Sequence, residues 1–80
     1  MEKLISGVPA SKVFRELQEK DESIDARKLG EMLVREFPDI SPAASMSIRK
    51  WLDPKGFYEF SDEQIDGLIL HYLRIAGYMT

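Results

Sequence analysis

Cysteine is absent from the 80 residues, and with it go disulfides, thiolate metal sites, thiol redox chemistry and cysteine nucleophiles. The chain must be held by packing alone. Long apolar runs are missing too. Nothing approaches the roughly 18 consecutive apolar residues of a membrane span, and the opening Met1-Glu2-Lys3-Leu4-Ile5 has no apolar core of the about 7 to 15 residues that an export signal needs. No membrane partner is expected, and a cytoplasmic location is the expectation. Positive charge is also short: 11 Lys+Arg against 14 Asp+Glu leave a net charge of −3 and a pI near 5.1. That balance disfavours a domain that lives on phosphate backbones. Internal repeats, low-complexity tracts and Gly/Ser-rich linkers are lacking as well, so one small domain spanning 1–80 is expected.

What is present is ordinary globular composition: 44% hydrophobic and 31% charged residues, with mean hydropathy −0.28. This is far from the signature of disorder, and the patterning is helical throughout. Pro9 suits the first turn of a helix whose apolar positions are Ala10, Val13, Phe14 and Leu17, an i, i+3, i+4, i+7 face. Asp25 reads as the N-cap of a second helix, with Ile24 stapling onto Leu29 and a stripe of Leu29, Leu33 and Phe37 that Pro38 closes. Ser41-Pro42 opens a third, carrying Ala44, Ile48, Trp51 and Leu52. Asp53-Pro54-Lys55-Gly56 reads as a turn, and Phe57 to Phe60 as a loop whose aromatics plug the core. Ser61 and Gln64 form a capping box for a last helix whose stripe is Ile65, Leu68, Ile69, Tyr72 and Leu73, with Gly77 as its left-handed stop. Leu70 and Ile75 are apolar outside that stripe, which marks this helix as the central one.

The expected fold is therefore all-α: a compact bundle of four short helices, five if Leu4-Ile5 belongs to a further fragment. Its core is Val13, Phe14, Leu17, Leu29, Leu33, Phe37, Ile48, Trp51, Leu52, Ile65, Leu68, Ile69, Tyr72 and Leu73. Gly30 and Gly67 interrupt helices at a cost of about 1 kcal/mol each relative to Ala, which close helix contacts would offset.

Chemistry is sparse. The one histidine, His71, has Gly67 and Ile75 at i−4 and i+4, so no paired zinc or di-iron spacing exists around it. Asp21/Glu22/Asp25 and Asp62/Glu63/Asp66 are carboxylate clusters at helix starts, where they complement the helix dipole. Neither has calcium-loop ordering, and the glycine spacing forms no phosphate-binding fingerprint. No catalytic residue, cofactor or metal site is assigned, and an enzyme is not expected.

Two readings remain. The first is a small acidic protein-interaction domain, an adaptor, inhibitor or accessory protein of the kind found in phage and bacterial accessory regions. Its partner is another protein, or a second copy through the last helix, and its candidate surface is Met46, Lys50, Tyr58, Tyr78 and Met79. The alternative is a helix-turn-helix-like DNA-binding domain. The helices 25–37 and 41–52 are joined by Pro38-Asp39-Ile40, and Ser47, Arg49 and Lys50 are the candidate nucleic-acid contacts. Against it stand the acidic charge, a turn with proline in place of glycine and the lack of Asn or Gln in 41–52.

Trp51 discriminates an exposed anchor from a core residue, and its position in the Ile48 stripe predicts the core. Blue-shifted, quencher-protected fluorescence is the expected result. Trp51→Ala should then cost about 3 to 5 kcal/mol, enough to unfold a small domain; red-shifted, freely quenched emission would place the indole outside.

Overall fold

In a computed structural model, which describes residues 1–52 and 60–79, the chain forms five helices and no strand among the described residues. They are α1 (Glu2–Ile5), α2 (Ala10–Lys20), α3 (Ala26–Glu36), α4 (Pro42–Trp51) and α5 (Asp62–Ile75). The four longer ones are those that the periodicity predicts, and α1 is the short fragment ahead of them. None of the described helices is long and apolar enough to cross a membrane. The turn read at 53–56 and the loop residues 57–59, Tyr58 among them, lie outside the described residues.

The helix ends form as their residue types dictate. Asp25 Oδ1 accepts from Lys28 N at 2.9 Å, and Ser41 Oγ accepts from Ala43 N at 3.2 Å with Pro42 at the first helical position. Both halves of the capping box are made: Gln64 N donates to Ser61 Oγ at 3.2 Å and Ser61 N to Gln64 Oε1 at 2.8 Å. Two ends share one closure. After α5, Gly77 at φ +89° lets its N–H reach Arg74 O and that of Tyr78 reach Leu73 O; after α1, Gly7 at φ +99° does the same for Leu4 O and Lys3 O.

Pro9 departs from expectation. It is the N-cap of α2, with no side-chain bond of its own to offer, and the orphan N–H of Ser11 donates instead to Asp66 Oδ1 in α5 at 2.7 Å.

In space the principal contacts run α1 on α2, α2 on α5, α5 on α4 and α4 on α3. The last helix thus packs between α2 and α4, although of the two residues read as marking it central Leu70 is only half-buried and Ile75 is exposed. The buried core holds Val13, Phe14, Leu29, Leu33, Phe37, Ile48, Trp51, Ile65, Ile69 and Leu73 as expected, with Leu4, Ala10, Ala26, Ile40 and Ala44 added. Leu17, Leu52 and Tyr72 pack against this core only partly buried, and Leu68 is half-buried. These four sit at the edges of their stripes, where a bundle this small has no second layer to cover them. Phe60 packs half-buried against the core, and Lys3 Nζ ties α1 to α2 through Glu16 Oε2 at 2.9 Å.

The two helical glycines differ. A Cβ on Gly30 would stand 3.0 Å from Ser45 Cβ and 3.1 Å from Ser45 Oγ, so α3 and α4 approach closely there. A Cβ on Gly67 would meet nothing within 4 Å among the described residues, so it marks no close contact there, contrary to expectation. Gly67→Ala should therefore stabilise by up to about 1 kcal/mol through helix propensity alone, whereas Gly30→Val should destabilise by about 1 to 3 kcal/mol through overpacking. Urea midpoints check both; the opposite ordering would contradict the packing described.

Candidate functional site

The row of small residues that lets α3 approach α4 also leaves a trough on their outer side. Ser45 Oγ donates to Gly30 O at 3.3 Å, joining the helices where neither side chain has bulk. Around that junction Arg27, Gly30, Glu31, Val34, Arg35, Ser45 and Arg49 line an open groove of about 490 Å³. Arg27, Glu31 and Arg35 recur every fourth residue along α3, and Ser45 and Arg49 do so along α4, so each wall is one helical row. The groove sets three guanidinium groups against one carboxylate in a protein of net charge −3. Arg27 Nε lies 3.5 Å from Glu31 Oε1, whereas Arg35 and Arg49 form no ion pair among the described residues. Val34, at 40% exposure, lines the groove, and Met46, at 61%, stands one turn before Arg49 and Lys50.

The candidate residues scatter. Met46 and Lys50 are exposed as expected for a partner surface. Tyr78 is not free: its hydroxyl accepts from Asp39 N at 3.0 Å and its ring meets Phe37 edge-on at 4.9 Å. Met79 packs against the core beside it. The closure at Gly77 turns this segment back toward the α3–α4 connection, a tertiary consequence that the local sequence does not display. Of the nucleic-acid candidates, Ser47 is buried at 6% exposure, its Oγ donating to Ala43 O at 2.9 Å. The expectation that it faces outward is corrected. Its hydroxyl bonds back to its own helix and needs no solvent. Arg49 lines the groove, and Lys50 has its Nζ 5.8 Å from the Phe60 ring. Arg49 and Lys50 are both exposed, whereas Ser47 is not.

The acidic cluster at the start of α5 does more than its dipole role predicts. Arg15 of α2 donates through Nη1 to Asp62 Oδ2 at 2.6 Å and through Nη2 to Oδ1 at 2.8 Å, a two-pronged pair. Trp51 Nε1 donates to the same Oδ1 at 3.0 Å. The Arg15 guanidinium also lies 5.4 Å from the Trp51 ring centre, within cation–π range. The hydrogen bonds from Arg15 and then Trp51 hold the Asp62 carboxyl below the usual aspartate range, and the reciprocal bond raises Arg15 above its ordinary value. Lys3 lowers Glu16 in the same way, and the Ser23 hydroxyl and N–H lower Asp21. These are structural ties.

His71 is exposed on α5, its ring tilted against Tyr72 at 5.6 Å. Among the described residues no three His, Asp or Glu side chains gather in a way that would hold a metal ion. No family model matches the chain, and no match is found among the curated proteins or the solved structures.

Because the folded-state Asp62, Glu16 and Asp21 lie below their ordinary values, the unfolded chain takes up protons first as the pH falls. Their stabilisation is complete above the unfolded carboxylate range and is lost as the pH drops through the folded values. Asp62→Asn should lower stability at pH 7 and converge on the wild type in acid, and added salt should shrink the difference, since Asp62 is half-exposed. A deficit that persists unchanged at low pH would show that the charge is not responsible.

Proposed function

We propose that this chain is a non-enzymatic protein-interaction domain that presents the α3–α4 groove to its partner. The reading rests on the groove itself: an open surface between two closely packed helices, with exposed Val34 inside it and arginines on both walls, and with Met46 exposed one turn before Arg49 on α4. Apolar side chains next to arginine are the composition favoured where binding energy concentrates, and helices braced from behind present such a surface with little ordering cost.

The alternative, DNA binding by 41–52, has in its favour the close pairing of α3 with α4 and the basic pair Arg49-Lys50. Against it count the inward hydroxyl of Ser47 and the acidic net charge of the chain. Self-association through α5 is a further version of the interaction reading, supported by Ile75 at 63% exposure.

Capture from a nuclease-treated lysate of the source cell, with wild type, Val34→Asp/Met46→Asp and Ile75→Asp as baits, tests the assignment. The wild type and the Ile75 variant should retain the same protein and the double variant should lose it. Retention by the double variant, or loss only with Ile75→Asp, would remove the groove from the account.

A further inference from the structure

We infer that the occupant of the α3–α4 groove is a carboxylate-rich peptide segment carrying an apolar side chain, an inference that rests on the protein-interaction reading of the same groove. Charge is segregated on this surface. The chain is acidic overall, yet Arg27 and Arg35 stand on one wall of the groove and Arg49 on the other, with Glu31 the one acid among them. Like charges lining one trough repel, and an anion placed between them turns that repulsion into attraction on both sides. Glu31 lies beside Arg27 at 3.5 Å, which leaves Arg35 and Arg49 as the pair facing an incoming group. A guanidinium offers a planar fork that matches a carboxylate in bidentate fashion, and Val34 within the groove supplies apolar surface for the side chain next to it, with Met46 exposed one turn before Arg49.

The same arginines would attract phosphates, and three observations favour carboxylates. Glu31 interrupts the Arg27–Arg35 row where a phosphate backbone would need continuous positive charge. Val34 and Met46 offer nothing to a sugar–phosphate chain. A duplex presents about one charge per 1.7 Å, so the net charge of −3 repels it over a far greater length than it does a short peptide.

The test is fluorescence anisotropy on the full chain. The probes are a labelled peptide of about 14 residues with glutamates flanking two leucines one turn apart, its Glu→Gln counterpart, and a labelled DNA duplex of similar length. The glutamate peptide should bind, more weakly as salt rises. Arg35→Glu and Arg49→Glu should each weaken it by about tenfold or more, while Lys12→Glu, an equal change of net charge at an exposed position of α2, should leave it unchanged. Failure of the glutamate peptide to bind, equal binding of the glutamine peptide, or equal loss with Lys12→Glu would overturn the inference. So would tighter binding of the duplex through the same arginines. If Arg35→Glu and Arg49→Glu still retain a protein that Val34→Asp/Met46→Asp loses, the acidic partner is wrong while the interaction surface stands. If the Val34/Met46 variant also retains it, the surface itself is wrong.

Discussion

A buried indole must place its N–H on an acceptor, and in this protein that requirement governs how three helices meet. Trp51 is only 4% exposed, so its Nε1 needs a partner within the fold. The partner is Asp62, the first residue of α5, whose other bonds go to Arg15 of α2. One carboxylate therefore joins α2, α4 and α5 at a point where the dipole of α5 also favours negative charge. The Phe14 ring, 5.9 Å from that of Trp51, supports the indole from α2. The single bond from Trp51 Nε1, with the indole packed against Phe14, restrains the roll of α4 about its axis.

Fixing the roll of α4 fixes what its other side presents. With Ala44, Ile48 and Trp51 turned into the core, Ser45 and Arg49 face the edge of α3 and Met46 stands outward. The near-contact at Gly30 and Ser45 then sets the separation of the two helices. The groove is in this sense a product of the core behind it: its floor exists because two residues there lack bulk, and its arginine on α4 is aimed by a tryptophan on the opposite face.

Local signals were legible in the sequence because each is completed within a few residues. The caps at Asp25, Ser41 and Ser61, the stop at Gly77 and the apolar stripes needed no knowledge of the rest of the chain. Features spanning the fold were not legible. Asp62 and Asp66 look alike beside a helix start, yet one receives Arg15 and Trp51 while the other caps α2 across 55 residues. Gly30 and Gly67 are likewise the same letter in the same context, and only the packing separates a contact from open space. Of the candidate surface, Met46 and Lys50 were readable from helical phase. Tyr78 and Met79 were not, since the direction taken after Gly77 is set by Phe37 and Asp39. Val34, Arg27 and Arg35 carry no signal of their own in the sequence, because a groove belongs to two helices and neither shows its signature alone; Arg35 and Arg49 line it from opposite helices.

Recognition of an acidic partner through the α3–α4 groove, as proposed, is tested by titrating the isotope-labelled protein with the glutamate-rich peptide and following its backbone amide resonances. Shifts should concentrate at Arg27, Gly30, Glu31, Val34, Arg35, Ser45 and Arg49, with Gln64, Gly67, His71 and Ile75 on the outer side of α5 unmoved. Shifts gathered on α5, or spread evenly over every basic side chain of the surface, would contradict it.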